Sequence, residues 1–568
     1  MNITTPLKKI SDSQLRFMFY TLWFVVLLIQ ARYTELFSDE AYYWNYSTNL
    51  AWGYFDHPPV IAFLIKCGYY LFPNELGVRL FPVILNTLTI FILEKIINPK
   101  DLRLFYVIVS SSFFLQIAGM LAIPDTPMLF FTATFFLLYK RYLERESFLT
   151  AILIGLNIGV LLLSKYHGIL VVGFTILSNI KLLRKWHFWV TAALAMLCVL
   201  PHLLWQFHNN FPTVRFQLFE RPDEGFDLNN TLQYITAQPF VFGPVISLIL
   251  LILCFKFKPA SKFESALRYN LIGVYAFFLF MTFKQRVEAH WTLIAIIPMI
   301  YMGYSKLQFH NLFKKITYYA FYVTVVLLVA VRIFFMYDYL PSTNLTDDFK
   351  SEYHGWKTWA TIIKNLAKGK PVVFMNGYKE ASQYKFYSGG DAITLNNIMG
   401  HKTEYDIWKY ENAYQGKDVL LIPNYTVGNL QTIETPKGKD EYMFINNFRS
   451  YSTIKITHDD NKVVVNKAQP FTVKIGLEAL PEDLKYIDVQ SNKDYKAFIS
   501  YTFFTSKSYV SETFTDFTLT NDMLNNNKTY DLNITPPKEP GDYVVYLAIR
   551  SGWLPPSISS KKLRVIVK

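Results

Sequence analysis

A chain of 568 residues that is 52% hydrophobic, 17% aromatic and +13 in formal charge averages a lipid-soluble part with an ordinary soluble one. Its basic excess falls in short clusters between apolar runs, which suits anionic lipid head groups. No RNA- or DNA-binding motif accompanies it, so no nucleic-acid partner is expected. Cys67, Cys198 and Cys254 lie in or beside apolar segments without metal-ligand spacing and read as small buried hydrophobes.

Eleven apolar stretches divide the first part of the chain, at about 17–37, 77–97, 104–122, 127–140, 148–164, 166–181, 187–205, 236–255, 268–283, 291–305 and 316–337. Most approach the roughly 20 residues needed to cross a hydrocarbon core of about 30 Å. The first has no small-residue cleavage site and is long enough to remain as a helix. Alternate connections carry Lys8, Lys9 and Arg16; Lys95, Lys100 and Arg103; Lys140, Arg141 and Arg145; Lys181, Arg184 and Lys185; Lys256, Lys258, Lys262 and Arg268; and Lys306, Lys314 and Lys315. The positive-inside rule puts these in the cytoplasm, with the N-terminus inside and the chain beyond residue 340 outside. The exterior set is then 38–76, 123–126, Lys165 with its neighbours, 206–235 and 284–290.

After about residue 340 the texture becomes mixed and polar. Residues 341–455 predict a small α/β domain: helices over Trp356–Ala367 and Lys379–Tyr387, and buried strands over Pro371–Met375 and Val419–Pro423. Residues 456–568 predict an antiparallel β-sandwich, from short runs at Val463–Val465, Phe471–Ile475, Ala497–Phe504, Tyr543–Ile549 and Leu563–Val567 between Asn, Gly and Pro turns. This tail has no nucleophile motif and no metal spacing, so no catalysis is assigned to it.

The strongest local signal follows the first stretch: Ser38-Asp39-Glu40-Ala41-Tyr42-Tyr43-Trp44, then Trp52-Gly53-Tyr54-Phe55-Asp56-His57-Pro58-Pro59. Adjacent carboxylates suppress each other's ionisation, so one can keep a raised pKa and act as a base. The same pair also fits a solvated turn beside an aromatic belt. Pro58-Pro59 fixes the chain and holds His57 near the surface, where it can serve as a phosphate ligand.

With Pro124-Asp125-Thr126-Pro127, Leu163-Ser164-Lys165-Tyr166-His167-Gly168 and Glu288-Ala289-His290-Trp291, these segments resemble the GT-C glycosyltransferases that use polyprenyl-phosphate sugars, which include protein O-mannosyltransferases and lipid A aminoarabinose transferase. The resemblance covers approximately residues 15–340. In the aminoarabinose transferases a Lys usually precedes the two prolines and helps hold the donor phosphate; here His57 takes that position.

The resemblance implies an α-helical polytopic GT-C-like domain of about 11 membrane helices over 1–340. It also implies an inverting transfer of a hexosyl or pentosyl group from a polyprenyl-phosphate sugar to an envelope glycolipid, another glycan or a protein, in a bacterial inner membrane. Such a transfer passes through an oxocarbenium-like state, with a base on the acceptor hydroxyl and cations on the departing phosphate. Asp39 is the implied base, Glu40 orients it or the acceptor, and Asp125 joins them. His57, Lys165, His167, Lys284, Arg286, Glu288 and His290 would serve the donor phosphate and substrate. No cofactor is expected, although an Asp-Glu pair can hold a divalent cation.

Plainer readings stand beside these. Lys165 and Lys284 fit side chains snorkelling to the interface, and Asp125 fits a helix N-cap. Glu288 and His290 fit a surface cluster with Arg286, and His202, Trp205, Gln206 and His208 fit an interfacial belt. Two other classes compete with the transferase. A transporter places its ionisable residues near the bilayer midplane, and an envelope assembly protein uses its helices only as an anchor; neither accounts for the one-sided placement of Asp39, Asp125, Lys165 and Glu288.

Overall fold

A computed structural model describes residues 10–216, 226–341, 343, 346–423, 430–484, 496–505, 508–524, 528–552 and 554–568. Lys8, Lys9 and part of the expected exterior stretch 206–235 lie outside the described residues. Two compact units divide the chain: one runs to His354, apart from residues 222–224, and the other is Gly355–Lys568.

The first unit is helical. Helix α1 (Asp12–Tyr33) opens on a capping box, in which Ser11 Oγ accepts from the Gln14 backbone N–H and the Gln14 side chain accepts from the Ser11 N–H. The segment expected as a loop over 38–76 instead folds into α2 (Ser38–Thr48) and α3 (Val60–Leu71). α3 buries Ile61, Ala62 and Ile65 while Phe63, Tyr70 and Leu71 stay exposed. Asn74 caps α4 (Glu75–Ile97) by accepting from the Leu76 N–H. The third expected stretch is interrupted, as α5 (Leu102–Ser110), α6 (Phe113–Gln116) and a 3-10 turn at Ala118–Met120. Next come α7 (Asp125–Glu144), α8 (Phe148–Ser164), α9 (Gly168–Ser178), α10 (Trp186–His208) and the one-turn α11 (Pro212–Arg215).

α12 (Leu228–Phe242) and α13 (Pro244–Phe255) meet at a bend of 102°. The bend sits on Gly243, whose φ of +137° disfavours any other residue and whose Cβ would lie 2.5 Å from the Ser111 carbonyl oxygen. α14 (Lys262–Met281), α15 (Ile296–Leu307) and α16 (Asn311–Met336) follow. By length and composition α1, α4, α10 and α16 can each cross a membrane, and α12 with α13 passes as one broken span. The other expected stretches fold as shorter, less apolar or interrupted helices. One hydrophobic core joins these elements, with α7 packed against both α4 and α8.

In the second unit β1 (Val372–Met375) pairs in parallel with β2 (Ala392–Leu395) and β3 (Val419–Ile422). β4 (Gln431–Thr435) and β5 (Gly438–Ile445) extend this sheet antiparallel, in the order β2-β1-β3-β5-β4. The remaining strands are β6 (Lys455–Thr457), β7 (Lys462–Val465), β8 (Phe471–Glu478), β9 (Ala497–Phe504), β10 (Tyr509–Thr518), β11 (Thr529–Ile534), β12 (Gly541–Ser551) and β13 (Leu563–Val567). They form sheets ordered β10-β9-β12-β13-β7 and β11-β8-β6 around a shared apolar core. All pairings in these two sheets are antiparallel except β13 with β7, which is parallel and departs from the expected all-antiparallel sandwich.

Candidate active site

Asp39 and Glu40 both open α2, but a helix turns about 100° per residue and sends neighbouring side chains in different directions. Asp39 is exposed, whereas Glu40 is fully buried. Glu40 Oε1 accepts from Arg79 Nε at 2.8 Å and from the Ala122 N–H at 2.8 Å; Oε2 accepts from Arg79 Nη2 at 2.5 Å and from the Phe37 N–H at 3.1 Å. Arg79 donates in turn to the carbonyls of Ala31, Thr34 and Glu35. Glu40 therefore joins the end of α1, the start of α2, the body of α4 and the strip leading to Asp125. With both its oxygens committed it does not fit a shared cation site with Asp39. Among the described residues no three His, Cys, Asp or Glu side chains are grouped to hold a metal ion.

Asp125 is the first residue of α7, yet its side chain caps nothing. Both its oxygens accept from Lys165 Nζ, at 2.8 and 2.7 Å, and the two side chains are 4% and 6% exposed. Lys165 reaches Asp125 because it breaks the helical run: it is the extended C-cap of α8, and Lys165-Tyr166-His167 makes the turn into α9. This is a buried pair between helices, not a snorkelling lysine.

His57, His167 and His290 lie within electrostatic range of that pair. Burial, then the Lys165 charge, pushes His57 and His167 down to about 3, so both are neutral imidazoles at physiological pH and act as hydrogen-bonding groups rather than cations. His167 packs at 5.3 Å from the Trp291 ring and 5.2 Å from the Phe278 ring, and its buried Nδ1 has no hydrogen-bond partner among the described residues. His290 belongs to the same neighbourhood and also feels Glu288. Lys284 and Arg286 are exposed at the rim, with Arg286 Nε 3.5 Å from Glu288 Oε1.

On the other side of His57 stands Asp56, a residue the sequence reading passed over. It accepts from the Tyr46 hydroxyl at 3.1 Å and bonds Tyr42. Burial pushes Asp56 up to about 6; the tyrosine hydroxyls oppose this and the charge of Asp39 adds to it. Its loop is wound on Tyr54, which stacks on Tyr46 with centroids 4.2 Å apart and accepts from the Ala51 N–H.

The loop is also tied to α10. His202 Nδ1 bonds the Trp52 carbonyl at 2.7 Å and its Nε2 bonds the Tyr166 hydroxyl at 2.9 Å. Gln206 donates to Tyr166 and to Thr213, and Thr213 donates to the Tyr54 carbonyl. His202 and Gln206 are 2% and 3% exposed, so they form an internal polar seam rather than an interfacial belt. Gly53 is essential to it: a Cβ there would lie 2.5 Å from the Trp205 ring and 2.7 Å from His202 Nδ1. The signal available in sequence was the spacing of four between His202 and Gln206, one face of a helix.

The helical unit resembles known proteins in sequence and in fold. Residues 56–205, about a quarter of the chain, match the family model of dolichyl-phosphate-mannose-protein mannosyltransferase. A curated relative, lipid A galacturonosyltransferase RgtD of Rhizobium johnstonii, is 30% identical over 247 residues, which is 40% of this chain and 50% of that protein. The chain thus matches half the length of this relative. The solved structure of ArnT from Cupriavidus metallidurans bound to undecaprenyl phosphate superposes with a TM-score of 0.55 at 12% identity, covering 76% of this chain and 98% of ArnT. The likeness to ArnT is one of fold. The family match spans Asp56, His57, Asp125, Lys165 and His167 but not Asp39, Glu40 or the 284–290 segment.

Proposed function

We propose that this protein is a membrane glycosyltransferase that moves a sugar from a polyprenyl-phosphate donor to an envelope glycolipid, with inversion, on the outer face of a bacterial plasma membrane. In this reading the N-terminus is cytoplasmic and residues beyond 340 are periplasmic. One observation carries it: Asp39 and Asp56 lie in electrostatic contact, and His57, next in the chain, faces the buried Asp125–Lys165 pair and two further imidazoles. A carboxylate side and a donor-rich side thus meet across one residue step. The superfamily fold and the matched relatives support the donor and acceptor classes.

Asp39, the exposed member, takes the acceptor hydroxyl proton. The acceptor oxygen bonds the anomeric carbon as the bond from that carbon to the phosphate oxygen breaks, and the phosphate leaves with the electron pair. Lys165 and the N–H groups of His57, His167 and His290 stabilise the departing oxyanion in a site of low polarity. Asp56 polarises Asp39, and Glu40 holds the end of α2 in place.

Replacing Asp39 by Asn tests the reading, since the amide keeps size but accepts no proton. Transfer by purified protein, followed by mass spectrometry of the glycolipid product, should fall by about 10²- to 10⁴-fold while donor binding persists. Transfer within a few-fold of wild type would remove Asp39 from the role of base. Accumulation of glycosylated protein rather than glycolipid would favour the alternative acceptor class suggested by the mannosyltransferase match.

A further inference from the structure

At the end of the bundle opposite the candidate site, α9 and α10 both pack against α8, and the cleft between them holds an apolar cavity. α9 has 11 residues, about 16 Å at 1.5 Å per residue, so it covers only about half of a 30 Å hydrocarbon core. A 3-10 turn at Ile180–Arg184 then leads into α10, the least buried of the four long apolar helices. The cavity measures about 70 Å³ and is walled by Ile154 and Ile158 of α8, Val172 and Ile176 of α9, and Phe188 of α10. Along α7 its lining runs from Tyr142 to Phe135, two turns or about 10 Å of depth.

Water has little to bond there. Among the polar lining groups, the Tyr142 hydroxyl and His187 Nδ1 bond each other at 3.2 Å, Asn179 donates to the Tyr139 hydroxyl, Thr175 bonds the Val171 carbonyl, and Thr191 bonds the Ala151 carbonyl. A stable internal water needs two to four polar partners, and an empty apolar cavity forfeits dispersion contacts, so an alkyl chain is the favoured filling.

The mouth is basic and aromatic. Lys181 and Arg184 are exposed, Trp186 and Trp189 flank them at 60% and 63% exposure, and Arg141 and Arg145 are exposed at the end of α7. Two acids stand nearby, Glu144 and Glu146, and Glu146 is taken up by Lys185. The surplus is positive and set among interfacial tryptophans, the composition that holds an anionic head group.

We propose that this cleft is a binding site for one anionic phospholipid, its phosphate on Lys181 and Arg184 and a stretch of one acyl chain in the cavity. The proposal rests on these helices lying in a bilayer and not on sugar transfer, so loss of transfer in site variants does not bear on it.

Native mass spectrometry of the full chain, released from nanodiscs containing equal dioleoylphosphatidylglycerol and dioleoylphosphatidylcholine, counts the retained lipid. Wild type should keep phosphatidylglycerol several-fold over phosphatidylcholine. Lys181→Gln with Arg184→Gln, both at the surface, should abolish that preference. Thr191→Trp, which fills the cavity, should reduce retention of both lipids several-fold. Equal retention of the two lipids by wild type, or an unchanged preference in the double charge variant, overturns the proposal.

Discussion

Glu40 and Arg79 are a fully buried, doubly hydrogen-bonded pair at the point where α1, α2, α4 and the approach to α7 converge. Nothing in this arrangement is left for chemistry: the guanidinium is spent on Glu40 and three carbonyls, and the carboxylate on Arg79 and two backbone N–H groups. The charge adjacent to the candidate base is thus a structural tie that fixes where that base stands.

Removing either partner leaves the other charged, buried and uncompensated, at a cost of about 3–5 kcal/mol. Glu40→Met and Arg79→Met should each lower the melting temperature and the yield of folded protein. The Glu40→Met/Arg79→Met double variant should lose clearly less than the sum of the single losses. Additive losses in a thermal-melt cycle would show that the two residues do not act as a pair.

Asp56 has the opposite pH signature from a salt-bridged carboxylate. Its folded pKa, about 6, lies above the ordinary carboxylate value, so the folded state holds the proton more tightly than the unfolded one. Its contribution to stability is therefore greatest below about pH 4, declines between about pH 4 and 6, and is flat above. Asp56→Asn should melt higher than wild type at pH 7.5 and lose that advantage near pH 4. In wild type kcat/KM should rise through about pH 6 as Asp56 ionises, and the variant should lose this limb. A wild-type profile flat between pH 5 and 7 would contradict it.

Lys165 is expected to act with Asp125 as one unit. Lys165→Met should cut transfer roughly ten- to a thousandfold through loss of a charge-assisted contact to phosphate. Asp125→Asn, by freeing the ammonium, should tighten binding of the donor phosphate while slowing turnover, a split between KM and kcat. Both variants turning over like wild type would reduce the pair to a helix tie.

A reporter fused after residue 340 measures orientation. Alkaline phosphatase there should be active and a cytoplasm-dependent reporter inactive. The reverse pattern would put the candidate site on the cytoplasmic face and remove its access to envelope acceptors.

Much of the helical fold was legible because hydrophobic length is a local property: every apolar stretch read from the sequence falls on a helix or an interrupted helix. The 38–76 segment was not, since SDEAYYWNYST shows no apolar periodicity and its helix is held by Tyr46–Tyr54 stacking and the Glu40 tie. Strand positions in the second unit followed from β-rich runs, whereas the parallel pairing of β13 with β7 joins residues about a hundred apart and leaves no local trace. Within the site, Asp125 and Lys165 stood out singly, but their pairing is tertiary. Glu40 looked like a twin of Asp39 only because sequence adjacency hides helical rotation. His202 and Gln206 looked interfacial because they stand with Trp205 and His208 at the end of an apolar run, whereas their bonds to Trp52, Tyr166 and Thr213 are tertiary.

The charge balance around Lys165 governs how the cluster receives an anion. Its ammonium is already neutralised by Asp125, and His57 and His167 are uncharged at neutral pH, so the resting cluster offers an incoming anion no surplus of positive charge. An anion settling among these rings favours their protonated forms, so its binding and proton uptake are thermodynamically linked.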